Sequence, residues 1–359
     1  MATLSINTEK ILGNIKKLNK YFSKRNIEWT LVTKMLCGNK PVLEKILFNP
    51  EIKKLHSLGD SRLSNLKVIK EINSDLITMY IKPPAPNLVP SIVKYSDISL
   101  NSSYSTIERI NIEAGHQGKI HRIIVMIEMG ELREGIVRDE VLHFYEKIFE
   151  LENIDIIGIG TNLGCMYGVE PTYDKLIQLS LYKNLIDAKF GTNLELISGG
   201  TSITLPLIDK NKVPAAVNHF RVGEAALLGV SPLDGKQFRN LSTNTIEFSA
   251  EILEISKKEA VPDGIIGEGN IGQTVEFNKN DNRESYRCIV DFGQLDVDVN
   301  NIFPKDDSIS FVGTTSDMTV YDLGNNLNGN KMGGQLHFRP NYTSIARLMN
   351  SRYMSKKII

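Results

Sequence analysis

Residues 28–39 read EWTLVTKMLCGN: an apolar, β-branched run that ends in Lys34, with small residues and Cys37 after it. Such a run, short and rich in Trp, Leu, Val and Thr, is a strand. Taken alone, a lysine at a strand end is a solvated cap or an ion-pair partner. Repetition along the chain gives it another meaning. Seven more short β-rich runs follow: KKLHSLGD to Asp60, LITMYIK to Lys82, SDISLN to Asn101, RIIVMIEMG to Gly130, IDIIGIGTN to Asn162, LELISGG to Gly200 and NHFRVGE to Glu224. Between them lie stretches with apolar residues at helical spacing, such as DSRLSNLKVIKEIN, YSTIERINIEAG and YDKLIQLSLYKNLIDAKFG, the last ending on a glycine stop. Eight βα units in succession predict an α/β fold, a closed (β/α)8 TIM-type barrel. An open doubly wound sheet is the alternative, because weak strands are easily miscounted.

From about residue 240 the pattern changes. IEFSAEILEISKKEAV, ESYRCIVDFG, DSISFVG, MTVYDLG and QLHFRP are strand-like and are separated by Gly, Asn and Asp, until YTSIARLMNSRY restores helical spacing. We therefore expect a barrel over residues 8–235 and a β-rich C-terminal domain over 236–359, the boundary falling near 231–244. The opening ATLSIN is also strand-like, which makes residues 1–7 a candidate strand of that second domain.

The 359 residues carry 42 Lys+Arg against 42 Asp+Glu, with no long basic run, which argues against nucleic acid and anionic membrane surfaces as partners. Cys37, Cys165 and Cys288 are widely spaced, with neither a metal-ligand pattern nor an even disulfide set. No apolar run approaches the roughly 20 residues of a membrane helix, and the first residues lack a signal-peptide pattern. The expectation is a soluble cytoplasmic protein without a metal. The six histidines, 56, 116, 121, 143, 219 and 337, are scattered and read as surface or core residues.

An eightfold barrel holds its active site at the C-terminal strand ends. Here those ends bring Lys34, Asp60, Lys82, Asn101, Arg133, Asn162, Ser202 and Arg221 to the mouth. A lysine placed there, where neighbours can tune an amine, is suited to form a Schiff base with a carbonyl. ISGGTSITLPLI, after strand seven, and FRVGEAALLG, around strand eight, put glycines where backbone N–H groups can cradle a phosphate. The plainer reading of Gly199 and Gly200 is a tight turn with Thr201 or Ser202 as helix cap. Both loops together, with a strand-end lysine, suggest pyridoxal 5′-phosphate (PLP).

At this point the chain resembles the alanine racemase-like fold-type III PLP-dependent enzymes, closest to their ornithine racemase branch. The resemblance runs over nearly the whole length, through LVTKMLCGN, GDSRLSNLK, IEMGELREG, GTNLGC, ISGGTSITLPLI, FRVGEAALLG, FGQLDVD and GTTSDM. It implies an amino-acid racemase acting on ornithine or a similar basic amino acid. Lys34 matches the lysine that holds PLP and works at Cα. Arg221 matches an arginine facing the pyridine nitrogen, which keeps that nitrogen unprotonated and disfavours side reactions; its alternative is an ion pair with Glu224. Thr201, Ser202, Gly223 and Glu224 match the phosphate-binding set, with Tyr342 reaching the phosphate. Asn162 stands where alanine racemases place a histidine near the ring. Arg133 matches an arginine bonded to the cofactor oxygen; its alternative is an ion pair with Glu131 or Glu134. Ser316 and Asp317 match a segment that approaches the substrate carboxylate in a partner subunit, which implies a head-to-tail homodimer.

The pattern fails in two places. Alanine racemases supply a second acid–base group as a tyrosine, and the corresponding PDGIIGEGNIGQT contains none. Glu268, Asp296, Asp317 and Cys165 are the alternatives, and the two-base mechanism stands with its second base unassigned. Met126 lies near the position of a lysine that some alanine racemases carbamylate. Asp60, Glu131, Asp296 or Asp298 would suit the distal ammonium of a diamino acid. Cys37 reads as a small buried residue near the cofactor. Other readings of the same residues are a racemase for alanine or another amino acid, a non-catalytic PLP carrier, a decarboxylase and an aldolase. The β domain argues against the carrier; the decarboxylase motif and the aldolase metal site are not found.

Overall fold

The computed structural model describes residues 1–267, 272–277, 281 and 283–359. It divides into two compact units: Thr8–Thr243, and Met1–Asn7 together with Asn244–Ile359. Strand β1 (Thr3–Ile6) belongs to the latter. The former contains β2 (Glu28–Val32), β3 (Ser57–Asp60), β4 (Thr78–Tyr80), β5 (Ile98–Asn101), β6 (His121–Met126), β7 (Ile154–Gly160), β8 (Leu196–Thr201) and β9 (His219–Val222). These eight strands are parallel and close in sequence order, β9 returning to β2 with Arg221 opposite Thr30. The barrel read from the sequence is the observed fold.

Every residue of β3, β4, β5 and β9 is buried, which is why these strands read as short continuous runs rather than as alternating ones. Met79, Ile98, Leu100, Ile124, Met126, Ile157 and Leu196 pack as one cluster. Around the strands run α1 (Thr8–Ser23), α2 (Lys40–Leu47), α3 (Leu63–Ile72), α4 (Val89–Tyr95), α5 (Tyr104–His116), α6 (Val141–Ile148), α7 (Tyr173–Phe190) and the short α8 (Leu205–Asp209) and α9 (Glu224–Leu228). In α1, Ile11, Ile15, Leu18 and Phe22 are buried at helical spacing. The α7 helix starts on Thr172, whose side chain accepts from Lys175 N–H, and stops at Gly191 with φ +65°. KKLHSLGD gives a strand only over Ser57–Asp60, because Pro50 and the Asn49 cap draw Pro50–Lys54 into a 3₁₀ turn.

The second unit is a mostly antiparallel sheet. Its further strands are β10 (Ile246–Glu259), β11 (Gln273–Thr274), β12 (Glu284–Val290), β13 (Ile302–Pro304), β14 (Ser310–Thr314), β15 (Thr319–Asp322), β16 (Gln335–Pro340) and β17 (Ser355–Ile358), with one helix, α10 (Tyr342–Asn350). The main order is β11-β14-β15-β12-β10-β1-β17, with β16 on β10 and β13 on β16. Phe248, Phe292 and Phe338 form its core, with ring centroids 5.2–5.7 Å apart. Among the described residues no helix is long and apolar enough to cross a membrane.

Candidate active site

Past the end of β2, Lys34 opens a 3₁₀ turn, Lys34–Leu36, closed by Cys37 at φ +50°, whose N–H donates to Lys34 O at 3.2 Å. The preceding Thr33 is fixed from both ends: its N–H donates to Gly59 O (2.8 Å) and its hydroxyl to Asp60 Oδ2 (3.0 Å). Asp60 also accepts from Arg62 N–H (3.0 Å) and Asn65 Nδ2 (3.1 Å). Its burial outweighs these bonds and raises its carboxyl to about 6. Asp60 therefore anchors the turn that carries Lys34. Lys34 itself is exposed and shares a cavity of about 460 Å³ with Ser61, Ile81, Lys82, Arg133 and Glu134. A larger cavity, about 730 Å³, lies beside Lys16, Lys20, Trp29 and Glu51, but it contains no strand-end side chain of the mouth.

A chain of polar contacts crosses the mouth. Arg221, only 2% exposed, donates through Nη1 to Ser198 Oγ (2.5 Å) and through Nη2 to Thr161 O (2.9 Å) and Asn162 Oδ1 (2.5 Å). Asn162 Nδ2 donates to Glu134, whose carboxylate also takes Nε and Nη2 of Arg133. Arg133 Nη1 reaches Cys165 Sγ at 2.7 Å. Thus Arg133 pairs with Glu134, and Arg221 bonds Ser198, Thr161 and Asn162. The Glu134 carboxylate raises the Arg133 pKa. Burial lowers that of Arg221 to about 10, against the pull of Glu134, so it remains a cation at neutral pH.

The loops after β8 and β9 meet at Ser202, whose Oγ accepts from the N–H groups of Gly223 (3.2 Å) and Ala225 (3.3 Å). Thr201 lies opposite Arg221 across an irregular β8–β9 register. Gly200 sits at φ +118°, and a Cβ there would come 2.7 Å from Thr204 Oγ1, so glycine is required. Glu224 begins α9; burial raises its carboxyl, while the Lys34 ammonium pulls it down. This donor set fits PLP: a primary amine for the aldehyde, a buried donor-only guanidinium for the ring nitrogen, and a hydroxyl with backbone N–H groups for the phosphate.

The other carboxylates named above have internal partners. Glu131 accepts the N–H groups of Cys165, Met166, Tyr167 and Val169 at 2.7–3.1 Å and holds that loop in place. Asp296 accepts from Ser351 Oγ (2.8 Å), and Asp298 from the N–H of Asn300 (3.1 Å) and Nδ2 of Asn301 (3.0 Å). In the second unit Ser316 Oγ donates to Asp317 Oδ1 (3.1 Å) on the exposed turn between β14 and β15, and Leu295 N–H donates to Ser316 O (2.9 Å). Tyr342 begins α10 behind the Asn341 cap. Glu268 lies outside the described residues. Cys37 is half-buried, while Cys165 is exposed.

Sequence reading missed two features. Glu134, named only as an ion-pair partner, is the hub joining Arg133 to Asn162. Ser198 and His219 were not singled out, although the two-residue spacing of His219 and Arg221 on β9 puts both on one strand face.

The alanine racemase N-terminal domain family matches residues 6–232. An ornithine racemase of Acetoanaerobium sticklandii is 30% identical over 357 residues, 99% of each chain. A lysine racemase of Thermotoga maritima is 29% identical over 353 residues, 98% of this chain and 97% of its own. A crystal structure of the alanine racemase of Bartonella henselae with covalently bound pyridoxal phosphate superposes with TM-score 0.72 at 15% identity, covering 100% of this chain and 99% of that one.

Proposed function

The chain belongs to the alanine racemase family of PLP-dependent amino-acid racemases, and from that premise we propose that it interconverts the L and D forms of ornithine or a similar basic amino acid, with Lys34 holding the cofactor. The observation that carries this reading is the Lys34 cavity, where an amine, a guanidinium and a carboxylate face one space of about 460 Å³. Likeness over nearly the whole chain to an ornithine and a lysine racemase supports a basic substrate.

When bound, PLP supplies an electron sink that makes the Cα proton of a joined amino acid labile. Lys34 takes or returns that proton at Nζ on one face. Arg221 donates to the ring nitrogen. Ser202 and the N–H groups of Gly223 and Glu224 receive the phosphate, with Thr201 beside them and Tyr342 as a further phosphate contact. Arg133 donates to the cofactor oxygen, and Asn162 ties Arg133's partner Glu134 to Arg221. Inversion needs a proton delivered on the other face, either by a second group or by Lys34 swinging between faces. Of the described candidates, Cys165 lies beside Arg133 and Asp317 on an exposed turn, while Asp296 is buried and bonded to Ser351. Ser316 and Asp317 act from a second copy at the substrate carboxylate, in a head-to-tail homodimer located in the cytoplasm. Exposed Leu295 and Met318 beside that turn, at 76% and 40%, suit such a contact.

The test is chiral chromatography after incubating PLP-loaded protein with L-ornithine, L-lysine and L-alanine separately. D-ornithine or D-lysine should form fastest. Fastest formation of D-alanine would favour the alanine racemase alternative, and no D-isomer from any of them would favour a PLP carrier.

A further inference from the structure

A second line of hydrogen bonds leads from Arg221 away from the mouth, through the barrel. Ser198 Oγ, which accepts from Arg221 Nη1 at 2.5 Å, lies 2.9 Å from His219 Nδ1. His219 Nε2 lies 2.9 Å from Thr30 Oγ1, Thr30 Oγ1 lies 2.7 Å from Ser57 Oγ, and Ser57 Oγ lies 3.2 Å from His56 Nδ1. Ser198, His219 and Thr30 are wholly buried, and Ser57 is 3% exposed.

One arrangement gives every group on this line one bond to accept and one to donate. Arg221 can only donate, so Ser198 accepts from it and has its own hydrogen to give to His219 Nδ1. His219 Nδ1 is then the acceptor, and Nε2 carries the hydrogen that goes to Thr30. Thr30 in turn donates to Ser57, and Ser57 to His56. All five donors point the same way, an arrangement in which each bond strengthens the next. In this arrangement His219 is one neutral tautomer; an imidazolium beside the Arg221 guanidinium in this dry interior would be repelled.

We propose that Ser198 and His219 are positioning residues that hold Arg221 in the orientation it needs toward the cofactor's ring nitrogen, and so keep the reaction to racemisation. This rests on the proposed function only for its kinetic consequence; the tautomer and the orientation follow from the barrel itself. A polar barrel filling without this role would tolerate any substitution that still folds.

The test uses PLP-loaded protein and four variants: Ser198→Ala and His219→Leu, which break the line, and Ser198→Thr and His219→Asn, which retain a hydroxyl or an acceptor at the same place. Three quantities are read: racemisation kcat and KM, keto acid released per racemisation event, and the absorbance band of the bound cofactor without substrate. The breaking variants should lose about tenfold or more in kcat with KM little changed, release more keto acid per event and shift the band. The retaining variants should stay near wild type. Folded, PLP-loaded Ser198→Ala and His219→Leu proteins with unchanged band and unchanged keto acid ratio would overturn the proposal. If wild type itself does not racemise, the proposed function fails, and ¹⁵N NMR of His219 still decides the inference: protonation at Nε2 alone is expected, and protonation at Nδ1 would overturn it.

Discussion

At the scale of single residues, two carboxylates near the mouth differ in what surrounds them. Glu134 has an arginine on one side and an amide on the other, and its side chain is 8% exposed. Gln at this position keeps one acceptor and loses the charge. Glu134→Gln should release Arg133 and lower kcat/KM by about tenfold or more, the worth of a charge-assisted bond of about 1.5–3 kcal/mol. Steady-state kinetics with circular dichroism to confirm folding checks this; unchanged kinetics would remove Glu134 from the site. Asp60 has hydroxyl and amide donors but, among the described residues, no cation bonded to it. Its carboxyl stands at about 6, above the usual value, so between about pH 4 and 6 the native state binds more protons than the unfolded chain. Its contribution to stability therefore falls as pH rises through that window, by about 3 kcal/mol. Asp60→Asn should abolish that part of the slope, seen as a variant-minus-wild-type difference in denaturant midpoints at pH 4 and pH 7. Strand-end position placed Lys34 and Arg221 at the mouth together with six other residues, and the family resemblance gave these two their expected roles. Glu134 was not legible, because its partner Asn162 is distant in sequence and meets it only when the barrel closes.

At the scale of elements, the mouth is built by turns rather than by strands. The loop after β7 has no helix of its own until α7 and is organised by one side chain, Glu131, which receives four of its N–H groups. A glutamine offers one acceptor oxygen in place of two. Glu131→Gln should leave N–H groups of this loop unsatisfied at a cost of about 1–3 kcal/mol. A lower melting temperature and faster proteolysis within residues 163–169 are the expected outcomes; unchanged cleavage there would show that the loop is held by other means. The glycine turns after β8 and β9 were legible, since consecutive glycines at a strand end signal a backbone that must leave the regular path. The bonds that Ser202 Oγ accepts from the N–H groups of Gly223 and Ala225 were not, because both belong to the next βα unit.

At the scale of the whole chain, the order of runs gave the barrel and the sheet, because short buried strands and amphipathic helices differ in period. What period could not reveal was the polar interior. His121 and His56 are lowered to about 4 by burial, and burial also holds His219 well below its ordinary value. Each is neutral in the native barrel and must be protonated in the unfolded chain below about pH 6.5, so stability present above that value is lost as pH falls toward 4. For the buried His121 the loss is about 3 kcal/mol. Asp60 acts in the opposite sense by a similar amount, so the three histidines together outweigh it. Denaturant midpoints should therefore fall steeply between pH 6.5 and 4, and a flat profile would mean that the histidines are not buried neutral. We propose Lys34, just past the end of β2, as the residue that holds PLP. The most direct measurement is borohydride reduction of the PLP-loaded protein followed by peptide mass spectrometry. A pyridoxyl label on Lys34 is expected, with its loss in Lys34→Ala. A label on Lys82, which shares the same cavity, or no stable label at all, would contradict it.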